Sequence, residues 1–311
     1  MNKGFRIAIH GGAGTIKQNA ITPEKEASIR QTLEKSIQSG IEVLKAAGSS
    51  VDAVVAAVSV MEDSPEFNAG RGSVFNNKGF VEMDASVMCG KTLRAGGVTC
   101  VRNVKNPIIL SREILEKSRH VLLSGQGAED FARDCGLQFE DDAYFYTQFR
   151  YDQLLKAQKK SVVQLDHSGN VREKMGTVGA VALDLAGNLA AATSTGGMTN
   201  QLAGRIGDSP IPGHGNYANN NTCAVSCTGI GEGFMRGVSA YDVSALMEYG
   251  GLSLEAAVNR VIVEKLPLVK GEGGLIAVDR EGNLALLFNT EGMYRAWQGS
   301  DRSICIKLYR D

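Results

Sequence analysis

Thr177-Val178-Gly179-Ala180-Val181-Ala182-Leu183-Asp184, the turn Leu185-Ala186-Gly187, and then Asn188-Leu189-Ala190-Ala191-Ala192-Thr193 decide how this chain is read. Two short apolar runs around a glycine turn predict a β-hairpin. The same pattern returns at Gly274-Leu275-Ile276-Ala277-Val278-Asp279, Arg280-Glu281-Gly282 and Asn283-Leu284-Ala285-Leu286-Leu287-Phe288. Between the hairpins, helices are expected at about 238–249 and 252–266. Strands and helices grouped in blocks favour antiparallel sheets with helices layered outside, an α+β fold.

Toward the N-terminus, residues 5–10 predict a strand that ends in the turn His10-Gly11-Gly12-Ala13-Gly14. Ile29, Leu33, Ile37, Ile41, Val43 and Leu44 recur at near-helical spacing and predict a helix over 23–47, closed by Gly48. Ser49-Ser50 offers a cap for a more apolar helix at 51–62. Strands are expected at 80–88 and 97–104, and helices at 107–120 and 126–134. The charged, amide-rich segment 138–175 reads as partly helical, its last ~10–15 residues as exposed connector.

The 311 residues allow two domains or one large one. Lys+Arg of 33 against Asp+Glu of 34 leaves a net charge of −1, a poor basis for gripping nucleic acid or an anionic membrane. Hydrophobic content of 43% and charged content of 22% are ordinary globular values and exclude disorder and fibrous architectures. The longest apolar run, about 53–61, is broken by Ser59 and falls short of the ~18 residues of a membrane helix. Residues 1–10 contain no apolar targeting core, and a cytoplasmic location is expected. Cys89, Cys100, Cys135, Cys223, Cys227 and Cys305 form no C-x-x-C pair and read as buried thiols in a reducing compartment.

Several motifs fail. Cys89-Gly90-Lys91-Thr92 carries the tail of a phosphate-binding loop, but Ala85 stands where the first glycine is required. No serine has the flanking glycines of a hydrolase elbow. In Gly229-Ile230-Gly231-Glu232-Gly233 the third glycine falls one place early for a dinucleotide fingerprint. His10, His120, His167 and His214 lack zinc-ligand spacing and read as surface or turn residues.

What remains is a glycine-rich core with threonines at strand ends. The chain has 37 glycines, about 12% against a usual ~7%. They concentrate between Gly187 and Gly237, where backbone must approach a ligand or adopt positive φ. Thr177, Thr195 and Thr228 mark strand ends there, with Arg205 and Asp208 between them. Each alone is an ordinary structural residue, threonine as a good strand former and the Arg–Asp pair as a surface ion pair.

Together, in order, the motifs Asn68-Ala69-Gly70, Met83-Asp84-Ala85, Gly176-Thr177-Val178-Gly179-Ala180, Thr193-Ser194-Thr195-Gly196-Gly197, Gly204-Arg205-Ile206-Gly207-Asp208 and Thr228-Gly229-Ile230-Gly231 resemble the plant-type L-asparaginase and isoaspartyl aminopeptidase family of N-terminal nucleophile hydrolases. The resemblance runs from His10-Gly11-Gly12-Ala13-Gly14 to Asn289-Thr290-Glu291-Gly292-Met293-Tyr294-Arg295-Ala296. It implies one domain over 1–311, a four-layer αββα sandwich of two mainly antiparallel sheets, and self-cleavage between Gly176 and Thr177. The products would be an α subunit, 1–176, and a β subunit, 177–311, assembling as a dimer of αβ units. Thr177 would be the nucleophile, with its freed amine as base, and Thr195 would orient its hydroxyl. Thr228 and the Gly229 N–H would form the oxyanion hole, and Asn68 would position the nucleophile and assist processing. Arg205 would clamp the substrate α-carboxylate; Asp208 and the Gly231 carbonyl would hold its α-ammonium. The chemistry needs no cofactor. A structural Na⁺ is implied in the loop 61–72, on the backbone carbonyls of Met61, Glu62, Ser64, Phe67, Ala69 and Arg71.

The implied substrates are small: L-asparagine and β-aspartyl dipeptides. Glycosylasparaginase favours a different cleavage sequence. Threonine aspartase shares Thr177-Val178-Gly179-Ala180 more closely but recognises proteins. An uncleaved amino-acid-binding homologue is the alternative from another class. His214, in Gly213-His214-Gly215, stands where the family pattern has a small residue near the substrate pocket.

Overall fold

The computed structural model describes residues 4–14, 21–160, 176–298 and 303–310. In chain order the elements are β1 (Arg6–Gly14), α1 (Pro23–Lys45), α2 (Ser50–Glu62), β2 (Met83–Cys89), β3 (Ala95–Val101), α3 (Pro107–Lys117), β4 (Leu122–Ser124), α4 (Gly125–Asp134), α5 (Asp142–Phe145) and α6 (Gln148–Lys159). The second half contributes β5 (Val178–Leu183), β6 (Leu189–Thr195), β7 (Asn216–Ala218), β8 (Cys223–Gly229), α7 (Gly231–Gly237), α8 (Ser239–Glu248), α9 (Leu254–Asn259), β9 (Gly273–Asp279), β10 (Leu284–Phe288), β11 (Gly292–Gln298) and β12 (Ile304–Tyr309).

Both predicted hairpins form, and for the same reason. Asp184 Oδ1 accepts from the Ala186 and Asn188 amides, and Asp279 Oδ1 accepts from the Glu281 and Asn283 amides. Gly187 (φ 80°) and Gly282 (φ 84°) take the left-handed position of each turn. The α1–α2 pair also forms as read. Thr22 and Ser49 cap the two helices, accepting from the Lys25 and Asp52 amides at 3.3 and 3.1 Å. Ile29, Leu33, Ile37, Ile41 and Leu44 are buried along α1, the stripe predicted from their spacing.

One sheet runs β12-β11-β1-β5-β6-β2-β3-β4 and the other β10-β9-β8-β7. Every pairing is antiparallel except β3 with β4. Helices α1, α2 and α3 cover the outer face of the larger sheet, α8 and α9 cover the smaller one, and β1, β5 and β6 pack on β8 and β9. This is the expected four-layer αββα sandwich. Its core has three parts: beneath the first helices, between the sheets, and beneath α8 and α9. Among the described residues no helix is long and apolar enough to cross a membrane.

Some boundaries differ from expectation. The glycines after His10 do not turn. They continue β1 through a bulge between His10 and Ala13, pairing Ala13 with Met293 and Gly14 with Gly292. Ala47 (φ 58°), rather than Gly48, takes the left-handed residue after α1. The helix expected over 252–266 is α9 followed by a π-helical turn, Arg260–Lys265. Within 138–175, α5 and α6 supply the helical part, and the expected connector lies outside the described residues. Of the six cysteines Cys223 and Cys227 are buried; the other four are partly exposed.

Candidate active site

Thr177 immediately precedes β5. The pairing of Val178 with Ser194 brings it opposite Thr195, whose other strand neighbour is Asp84. Thr177 Oγ1 donates to Thr195 Oγ1 at 3.0 Å, and Thr195 Oγ1 also accepts from the Gly197 amide at 3.1 Å. Asn68 holds the same turn: its Nδ2 donates to Gly197 O at 2.7 Å and its Oδ1 accepts from the Val74 amide at 3.0 Å.

Thr228 comes from β8 of the other sheet. Its Oγ1 accepts from the Ala13 amide at 3.3 Å, leaving the hydroxyl hydrogen to donate elsewhere. The site therefore lies where the two sheets meet. Asn68, Gly176, Thr177, Thr195, Gly197, Met198, Arg205, Asp208, Ser209, Gly229 and Gly231 line one cavity. It is narrow, about 10 Å³, space for one water, and Gly176 forms part of its wall. A roomier cleft of about 770 Å³, lined by Thr222, Glu248, Asp279 and neighbours, contains none of these threonines.

The charged groups are arranged differently from a simple Arg–Asp pair. The Arg205 fork is bidentate on Glu232, with Nε–Oε1 at 3.0 Å and Nη2–Oε2 at 2.9 Å. Glu232 escaped the sequence reading because it lies 27 residues away in another motif. Asp208 is buried, and its Oδ2 finds no hydrogen-bond partner among the described residues. Burial pushes its carboxyl up to about 7, with the Arg205 charge opposing. Asp84, also buried, is pushed up to about 6 although it accepts from the Cys100 amide at 2.8 Å. A methyl on Gly231 would approach Asp208 Oδ1 and Arg205 Nη2 to 2.8 and 2.9 Å, so glycine keeps the space between these charges open.

His214 is half-buried, its Nδ1 3.4 Å from the Pro212 carbonyl. One histidine expectation needs correction. His10 is no surface residue but wholly buried, between the Thr177 carbonyl and Ser226.

The loop 61–72 is carbonyl-lined. Methyls on Gly70 and Gly72 would overlap the carbonyls of Glu62 and Phe67, with Pro65 O 2.9 Å from the latter methyl. Met61 O and Ala69 O accept from the Ser64 and Gly72 amides. Among the described residues no His/Cys/Asp/Glu cluster could hold a metal. Carbonyl oxygens of this kind suit a hard cation better than a soft one.

Two sheets enclosed by helices, with a threonine heading a central strand and its hydroxyl bonded to a second threonine, define an N-terminal nucleophile hydrolase fold. The chain belongs to the asparaginase family, whose model matches residues 3–306. It is 52% identical over 308 residues to "Isoaspartyl peptidase" of Escherichia coli (strain K12), covering 98% of this chain and 96% of that one. It is 48% identical to "Putative isoaspartyl peptidase/L-asparaginase" of Dictyostelium discoideum, with 96% and 94% covered. To "Probable isoaspartyl peptidase/L-asparaginase 2" of Arabidopsis thaliana the identity is 40%, with 96% and 97% covered.

Proposed function

We propose that this protein is a self-cleaving threonine hydrolase that releases aspartate from β-aspartyl dipeptides and converts L-asparagine to L-aspartate and ammonia. The carrying observation is the 3.0 Å Thr177–Thr195 hydroxyl pair in a cavity that also holds Arg205 and Asp208. The names of the relatives support the same substrates.

In processing, Thr177 Oγ attacks the Gly176 carbonyl carbon, the Gly176–Thr177 C–N bond breaks, and the nitrogen leaves as the Thr177 amine. Water then hydrolyses the Gly176 ester, giving a Gly176 carboxylate and restoring the hydroxyl. The products are the subunits 1–176 and 177–311. Departure of Gly176 opens the cavity it walls, so one event creates both the base and the space for substrate.

In turnover the amine, with an ordinary pKa near ~7.7–8.0, takes the Thr177 Oγ proton as Oγ attacks the β-carbonyl of the substrate. Thr195 aims the hydroxyl. The Thr228 hydroxyl and Gly229 N–H stabilise the oxyanion, a device worth about 3 kcal/mol. The proton passes to the leaving amine or ammonia, and water releases aspartate from the Thr177 ester. Arg205 grips the α-carboxylate through its planar fork, exchanging Glu232 for substrate. Asp208, ionised once the substrate α-ammonium sits beside it, holds that ammonium with the Gly231 carbonyl. Asn68 supports the turn that positions Thr195, and a Na⁺ on the carbonyls of Met61, Glu62, Ser64, Phe67, Ala69 and Arg71 would brace that loop. The αβ units pair as a dimer, and the enzyme works in the cytoplasm.

The test is a side-by-side assay of a β-aspartyl dipeptide, L-asparagine and a glycosylated asparagine. Turnover of the first two supports the proposal. Turnover of the glycosylated compound alone would assign the glycosylasparaginase reaction instead.

A further inference from the structure

We infer that His10 is a positioning residue for the nucleophile: its imidazole, held as one tautomer by Ser226, donates from Nδ1 to the Thr177 carbonyl and fixes the backbone from which the Thr177 hydroxyl and amine project. The inference rests on the assignment of Thr177 as nucleophile.

His10 Nδ1 lies 3.0 Å from Thr177 O, and its Nε2 lies 2.9 Å from Ser226 Oγ. A carbonyl can only accept, so Nδ1 carries the proton. Burial pushes the imidazole down to about 3, and the neutral ring has a bare Nε2. Ser226 must then donate to Nε2. Its oxygen is in turn 2.7 Å from Thr193 Oγ1; with the Ser226 hydrogen on Nε2 rather than on the Ala192 carbonyl 3.2 Å away, Thr193 is the donor of that shorter pair in preference to the Gly215 carbonyl at 3.2 Å. The bonds run one way, from Thr193 through Ser226 and His10 to the Thr177 carbonyl.

The surrounding backbone is shaped for this ring. His10 pairs with Gly179 across β1 and β5. A methyl on Gly179 would overlap both His10 Nε2 and Ser226 Oγ. The glycine two residues after Thr177 is therefore the space the imidazole occupies.

The bond matters most after cleavage. Thr177 then becomes a chain end, and chain ends fray unless tied down. Apart from its peptide link to Val178, it is held by Thr195 at the hydroxyl and by His10 at the carbonyl. A shift of about 1 Å at a reacting atom costs ~100-fold in rate.

Asparagine places its amide nitrogen where Nδ1 stands, whereas glutamine reaches the Nε2 position. In cleaved protein, His10→Asn is expected to keep kcat within about tenfold of wild type, and His10→Gln to lose about 100-fold, both with nearly unchanged KM. Equal kcat values, a better glutamine variant, or a loss confined to KM would overturn the inference. If neither variant folds, ¹⁵N-histidine spectra of the wild-type protein decide it. One imidazole should keep an Nδ1–H and not titrate between pH 5 and 9. Its absence, or a non-titrating Nε2–H ring in its place, overturns the tautomer and the inference with it. Wild-type protein without Thr177-dependent activity would instead sink the nucleophile assignment; active wild type with an unimpaired His10→Gln sinks only the role of His10.

Discussion

Thr195 Oγ1 accepts a hydrogen bond from Thr177 Oγ1 at 3.0 Å while the Gly197 amide, 3.1 Å away, pins it from the other side. The second threonine is thus fixed by backbone before it fixes the first. Thr195→Val keeps the shape and removes the acceptor. Its kcat is expected to fall about 100-fold, the lower range for losing a positioned proton-handling group, with little change in KM. Thr195→Ser should retain most of the rate; steady-state kinetics on both variants checks the pair.

Arg205→Ala should raise KM about 100-fold, the scale of losing a buried charge-assisted contact, with a smaller effect on kcat. Arg205→Lys should recover little of this, since an ammonium cannot present two parallel donors to a carboxylate. Substrate titrations with each variant give the answer, and unchanged kinetics would remove the clamp role.

Gly12 (φ 113°) faces Gly176 so closely that a methyl there would lie 2.5 Å from its nitrogen and 2.6 Å from its Cα. Gly12→Ala is expected to displace Gly176 from Thr177 and slow appearance of the two fragments at least tenfold, about 1.4 kcal/mol of barrier. A denaturing gel time course follows it directly.

Glu62 is buried and pushed up to about 8 by desolvation, although Oε1 accepts from Ser194 Oγ at 2.6 Å and the Ile108 amide at 3.0 Å. In the unfolded chain it ionises near its ordinary 4.5, so the native state binds the extra proton. Stability from this group is therefore lost as pH rises from about 4.5 to 8. Glu62→Gln keeps the Oε1 acceptor without the ionisation. Its melting temperature relative to wild type should climb between pH 5 and pH 8; a constant difference would contradict the shift.

Much of the fold was legible in the sequence. The Asp184–Asn188 and Asp279–Asn283 turns announce their hairpins locally, and the α1 stripe announces its buried face. What stayed hidden depends on distant partners. The glycines after His10 look like a turn, yet Met293 and Gly292 extend them as strand. β11 and β12 are not legible locally, because their sequences carry no turn or alternation as plain as the hairpins do. In the site, the three threonines and Arg205, Asp208 and Asn68 were marked by motif and share one region of the structure. Glu232 and His10 carry no local signal: their contacts come from pairing across 27 and 167 residues, and burial of a lone histidine leaves no local trace.

The most direct test of the account is the intact mass of purified protein after incubation, beside Thr177→Ala. Two fragments are expected, the second beginning at Thr177, and a single unsplit chain in the variant. An unsplit wild-type chain, or cleavage that persists without the Thr177 hydroxyl, would contradict it.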